Sequence, residues 1–442
     1  MRPGTCRRWI ERAAAAALLL AGAARGDGWQ PPLDEALKQA AARHTPVLVE
    51  FHAPWCYSCY YMRHNVLEGA EWQRARRAAV PVDLDADAPE GAYWQERLAV
   101  KTLPGYVLLN ERGEELGRIS GEQTRADFYR QLESILARTV PLEALGGRVK
   151  DGGGASLKAA HEVLKAYYAR DDAAGGLAWR AALPEAARNA LDKDARAALW
   201  TGRLRLMQAA QGGDAAQCAA LAPAVLAGDL GCDRAYELER VMECIAGLPA
   251  AERSRLLAPQ KPVMTHQLYG QVFIAHPSCA DTRSVVLTTA DLDKALGYAQ
   301  AGSDVLDQAI ADVKMRLGGN LRKDRALADN LRVFLERAGK ADELDLLYPR
   351  LVAAFPDDYV YYYLSGKALA ARGQYQQALI YLQQAAPKTY GVNRFEVAEQ
   401  RVQLLLRLNR GDEARQVVAD TLKANGPWFP QRAAKLKALV GG

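Results

Sequence analysis

Beyond its first two dozen residues the chain has no apolar run approaching eighteen residues, so no transmembrane helix is expected in the mature protein, which should be soluble. It also lacks a strong charge of either sign. The formal net charge is +5, and the opening segment supplies most of it, with Arg2, Arg7, Arg8 and Arg12 set against Glu11. The remainder, about +2 over the rest of the chain, is no footprint for nucleic acid. Cysteine is sparse, seven in 442 residues, and only Cys56 and Cys59 stand close together. A zinc site built on them would need a second close pair, which is missing.

What is present at the start is a leader. The four arginines precede an apolar run from Ala13 to Ala24 that contains Ala21-Gly22-Ala23, a small-residue cleavage pattern. As a helix this run would span about 18 Å, against about 30 Å of membrane hydrocarbon. Residues 1–24 therefore read as a signal peptide and the protein as exported, in the bacterial sense periplasmic. Cys6 lies in the basic part of the leader, so no cysteine follows the run as a lipid anchor.

The chemistry concentrates at Trp55-Cys56-Tyr57-Ser58-Cys59. Val47-Leu48-Val49-Glu50-Phe51 is a short run of β-forming residues with one carboxylate, read as a buried strand leading into the cysteines. The pattern after Cys56 turns helical, with Cys59 one turn on. Cys56 is thus placed at a helix N-terminus, where unpaired N–H groups and the dipole favour a thiolate. The expectation is an exposed, nucleophilic Cys56 and a shielded Cys59 that resolves the mixed disulfide.

With its surroundings this segment resembles a thioredoxin-family domain, over about Leu33 to Arg138. Trp55 directly precedes the first cysteine, Glu50 lies six residues before it, and Leu103-Pro104 follows 48 residues after it. Then come a strand Tyr106 to Leu109, a turn Asn110 to Gly113, a strand through Ile119, and a helix from Ala126 to Arg138 with the stripe Phe128, Leu132, Ile135, Leu136. The flanking stretches look most like the C-terminal periplasmic domain of transmembrane thiol:disulfide interchange proteins. The resemblance implies catalysis by Cys56, Cys59 and the buried acid Glu50, which would move the Cys59 proton. It also implies a cis-proline at 104, with Trp55, Leu103 and Pro104 contacting substrate and no cofactor beyond the cysteines. Two departures stand out: Tyr57-Ser58 between the cysteines, and Glu rather than Asp as the acid.

After Arg138 the composition changes. Pro141 and the glycines at 146, 147, 152, 153 and 154 mark a linker over residues 141–156, ending the thioredoxin domain of residues 25–140. From 157 to 320 the chain is Ala/Leu/Arg-rich with helical periodicity. From 321 to 442 a period emerges: Gly366, Leu369, Gly373, Tyr375, Ala378, Leu382 and Ala385 match the positions of a tetratricopeptide (TPR) helix pair, with looser echoes upstream and downstream. The fold class is therefore an α/β thioredoxin fold followed by an all-α, TPR-like helical-repeat region. In the run Tyr359 to Tyr363 the aromatics read as core filling or as contacts on a concave face. Cys218, Cys232, Cys244 and Cys279 form an even set, consistent with two structural disulfides in any of three connectivities or with buried thiols. Closing the Cys218–Cys232 interval would contribute roughly 3 kcal/mol. Asp83, Asp85 and Asp87 imitate the start of a calcium loop, but Trp94 occupies the position of its final Glu. They read better as a strand ending in a solvated loop.

Two functions follow. The first is a periplasmic thiol:disulfide oxidoreductase acting on protein thiols and disulfides, with the repeats docking a protein partner. The second is a non-catalytic TPR scaffold of envelope assembly that uses the thioredoxin domain as a binding surface. The joint presence of both cysteines, Trp55, Glu50 and Pro104 favours the first.

Overall fold

A computed structural model of the chain describes residues 33–441. The expected leader, with Cys6, lies outside the described residues. The first domain runs α1 (Leu33–Arg43), β1 (Val47–His52), α2 (Tyr57–Asn65), α3 (Gly69–Ala78), β2 (Val80–Asp85), α4 (Pro89–Arg97), β3 (Gly105–Leu109), β4 (Glu115–Ser120) and α5 (Arg125–Leu136). Its four-stranded sheet has the order β2-β1-β3-β4. β1 is parallel to β2 and antiparallel to β3, and β3 and β4 form the expected hairpin. This is the thioredoxin fold.

The buried run of β1 follows from its position inside the sheet, where both faces are covered by helices. Val47, Val49 and Phe51 pack with Leu33, Ala36 and Ala40 of α1 on one face. Leu48 packs with Met62 of α2 and Phe128, Leu132 and Ile135 of α5 on the other. Strand alternation therefore places Glu50, in register with Tyr106, on the face beneath α2. Thr124 starts α5 by accepting the Asp127 N–H, one of the donors a helix start leaves unpaired.

After Ser120 the described residues contain helices and no strand. The segment read as a linker is ordered: Leu142–Gly146 is a short helix, and Leu142 and Val149 are buried. Its glycines serve close packing as well as turning, since a Cβ at Gly146 would meet the Trp179 ring nitrogen at 3.1 Å. The helix Gly154–Ala169 then lies against β4, where Arg138–Glu162 at 2.6 Å and Arg170–Glu115 at 2.7 Å fasten it. Further on, the hairpin Tyr359–Ala371 and Tyr375–Ala385 shows why its small residues recur. A Cβ on Gly366 would stand 2.8 Å from the Leu382 side chain, and Ala378 and Ala385 are fully buried. Tyr359 and Tyr361 are buried too, so core filling dominates that run.

The four late cysteines form two disulfides, Cys218–Cys244 and Cys232–Cys279. The Cys218–Cys232 closure considered from the sequence does not occur. In its place the two covalent loops overlap.

Candidate functional site

Cys56 caps the N-terminus of α2, and its sulfur accepts the Cys59 N–H at 3.1 Å. A sulfur so held is favoured as a thiolate, by the same hydrogen bond and by the helix dipole. Cys56 and Cys59 are joined in a disulfide with a Cα–Cα separation of 5.2 Å. The Leu103–Pro104 bond is cis, and Leu103 packs against Ala53, Cys56 and Cys59. Trp55, beside the first cysteine, is 49% exposed.

Beneath the cysteines Glu50 is buried, with its Oε1 lacking a hydrogen-bond partner. Burial, reinforced by the nearby Asp83 carboxylate, pushes its pKa up to about 7. A carboxyl poised there holds or releases a proton at neutral pH, which suits the role implied for it. His52 faces Asp83 rather than the sulfurs, with Nε2 to Oδ1 at 2.6 Å. Burial works against its charge, but that hydrogen bond carries its pKa above the usual value.

One expectation is overturned. Cys56 is not exposed: it is 5% accessible and Cys59 3%. Ala53 and Leu103 pack on the cysteines, and the helical arm folds back onto the rest of α2. The helix Arg325–Arg337 packs along α2. The Arg325 guanidinium lies 3.9 Å from the centre of the Tyr60 ring, and that of Arg283 lies 3.4 Å from the Tyr57 ring. The Tyr57 hydroxyl donates to Asp281 at 3.0 Å, and Asp329 fixes Arg283 from behind at 2.7 Å. Glu122, next to the Gly121 whose N–H bonds the Pro104 carbonyl, is half-buried near the same contact with its Oε2 enclosed, and desolvation pushes it well above the ordinary carboxylate range.

A second contact closes over the end of β2. The Trp55 indole donates to Asp87 at 3.1 Å. From the arm, Asn393 donates to the same carboxylate at 3.3 Å, the Val392 N–H bonds the Asp87 carbonyl at 2.9 Å, and Tyr390 bonds Asp85. Of the stretch expected to be solvated, Asp83 is exposed and Asp85 partly so, but Asp87 is covered, 4% exposed. Burial and Asp85 raise the Asp87 pKa to about 6. Among the described residues no cluster of His, Cys, Asp or Glu is arranged to hold a metal ion.

The structure thus brings Cys56, Cys59, Leu103 and Pro104 together, places Trp55 at the edge and sets Glu50 underneath. Sequence reasoning missed Asp87, Asp281, Arg283, Arg325 and Asn393. One signal was available: Tyr57, Tyr60 and Tyr61 crowd one short helix, and bulky rings on a helix imply something to pack against.

Comparison with known proteins agrees with this geometry over one region. The sequence profile of the thioredoxin-like domain matches residues 33–136. Among curated proteins, the thiol:disulfide interchange protein DsbD of Cronobacter sakazakii is 32% identical over 108 residues, 24% of this chain and 18% of that protein. The same protein of Klebsiella pneumoniae is 29% identical over 104 residues, 23% and 17% of the two chains. The match thus spans less than a fifth of those relatives' length. Among solved structures, a thioredoxin from Thermus thermophilus aligns at 32% identity over 25% of this chain and 87% of its own, with a TM-score of 0.23. Residues 33–136 are a thioredoxin-like domain.

Proposed function

We propose that the protein is an exported thiol:disulfide oxidoreductase of protein substrates, with Cys56 as nucleophile and Cys59 as resolving cysteine. The observation that carries this reading is the Cys56–Cys59 disulfide at the N-terminus of α2, packed against Leu103 of the cis peptide. In the reducing direction the Cys56 thiolate attacks a substrate disulfide. One S–S bond forms as the substrate's breaks, and the departing thiolate takes a proton. The Cys59 thiolate, its proton passed to Glu50, then attacks the Cys56 sulfur and releases the second substrate thiol. Two electrons leave the pair; the Cys59 proton passes by way of Glu50 to the second substrate sulfur, the first takes its proton from water, and the pair ends as the disulfide present here. A dithiol reverses every step. The backbone around Leu103 and Pro104 would pair with an extended substrate strand.

Export and a periplasmic setting are supported by the basic and apolar leader pattern and by two further disulfides, which persist in oxidising compartments. The arm, with its TPR-like hairpins, would select the partner. Equilibration with glutathione tests the chemistry: a potential of about −270 mV marks a thioredoxin-like reductant and about −120 mV an oxidant. A Cys59→Ser variant should accumulate mixed disulfides through Cys56. Absence of both a measurable potential and trapped adducts would reject the enzyme and leave the scaffold reading.

A further inference from the structure

Cys56 opens α2, and the arm packs against the same helix. The arm stands on α2 through Arg283 and Arg325 and on the loop after β2 through Tyr390 and Asn393. Between these supports a cleft of about 660 Å³ stays open. Pro54, two residues before Cys56, lines it from the thioredoxin side. Arg325, Phe355, Tyr359, Lys388 and Tyr390 line it from the arm.

The size of the opening limits what enters. A folded protein needs about 800 Å² of its surface in contact to bind specifically. A cleft of this volume instead suits ligand-sized groups or a few residues of chain. Its chemistry points the same way. Its walls carry both signs, Arg322, Arg325 and Lys388 against Asp357 and Asp358, with Arg325 paired to Asp358, so selection for one sign of charge is weak. Tyr390, 38% exposed, lines the cleft, and Trp55, 49% exposed, lies just outside that lining, next to Pro54 in the chain. They flank the Asp85–Asp87 loop that ties both parts together, since Trp55 bonds Asp87 and Tyr390 bonds Asp85. Rings so placed can stack on the backbone and side chains of an extended strand whatever its sequence.

We propose that the arm makes the Cys56–Cys59 pair selective for cysteines carried on an extended, unstructured polypeptide segment, which enters through the cleft between Pro54 and the arm. The proposal rests on the oxidoreductase reading. In the test reaction the S–S bond of Cys56–Cys59 breaks, the substrate dithiol becomes a disulfide, and two electrons and two protons pass to the pair.

The experiment uses the oxidised full chain in single-turnover kinetics with three dithiols: dithiothreitol, an unstructured peptide with two cysteines, and a folded protein with two adjacent surface thiols. The peptide should react at least about tenfold faster than the folded protein, a difference of about 1.4 kcal/mol. Two variants check the cause. Ala354→Trp fills the cleft and should lower the peptide rate relative to dithiothreitol about tenfold. Gly391→Ala would place a Cβ 1.8 Å from the Asp87 carbonyl oxygen, prising the arm off the loop, and should narrow the gap between peptide and folded protein. Equal rates for peptide and folded protein in the unaltered chain overturn the proposal, as does an unchanged peptide-to-dithiothreitol ratio in Ala354→Trp. Failure to oxidise dithiothreitol itself would instead sink the oxidoreductase reading on which the proposal stands.

Discussion

The two faces of α2 are held by different physics. Towards the sheet the helix presents Met62, fully buried among Leu48, Val66, Tyr106 and Phe128. Towards the arm it presents Tyr57 and Tyr60, met by Arg283, Arg325 and Asp281. The inner face gains from removing apolar surface from water, which is non-directional and strong in sum. The outer face gains from ring–guanidinium stacking and hydrogen bonds, which are modest but demand one geometry. A redox domain thereby keeps its own core while remaining keyed to a particular neighbour.

The largest effect should fall on the inner face. Met62→Ala should cost about 2–5 kcal/mol in a urea titration, because a buried side chain is lost and a cavity remains. A smaller cost there than at the arm contact would reverse the contrast.

Next comes Glu50, which sits on the sheet beneath α2. Its carboxyl ionises at about 4.5 when unfolded and about 7 when folded. Below pH 4.5 both states hold the proton. As the pH rises to 7 the unfolded state loses its proton first, so stability falls through this window and then levels off. Glu50→Gln should flatten that part of the pH–stability curve by on the order of 2–3 kcal/mol. Parallel curves for variant and parent would show that burial does not control this group.

On the outer face Arg325→Ala should cost about 1–2 kcal/mol, the range for a desolvated stacked cation. Its sharper signature is faster reduction of Cys56–Cys59 by a phosphine, as the cover loosens. Tyr57→Phe should do least, about 1 kcal/mol, because Asp281 keeps Tyr236 and Ser284 as donors. A Tyr57→Phe loss as large as that of Met62→Ala would mean that the two faces are not distinct in kind.

The same division explains what could be read in advance. β1, the two cysteines, the proline and the β3–β4 hairpin were legible because each rests on local spacing or on a strand's alternation. Glu50 stood out as one carboxylate in an apolar strand. The cover was not legible. Tyr57 meets Asp281 across 224 residues and Asp87 meets Asn393 across 306, and no period in the sequence links such positions. Of the three aspartates of residues 83–87, Asp83 is solvated as expected and Asp87 misled, since an acidic residue just past a strand end looks solvated until a distant asparagine arrives. The Gly-rich stretch at 146–154 misled in another way. Glycine permits turning, but it also permits close approach, and here Trp179 takes up the space.

The overlapping disulfides bear on how this protein would withstand damage. Cys218–Cys244 and Cys232–Cys279 enclose crossing loops, so every peptide bond between 218 and 279 is spanned by at least one of them. A protease that nicks the chain once anywhere in that interval leaves two fragments still tied by sulfur. The redox half would remain tethered to the half that carries Arg283, Arg325 and Asn393. A nicked molecule would run as one band on a gel until reductant is added, and only then as two. The span is thus a fail-safe joint, able to lose a backbone link without losing its far end.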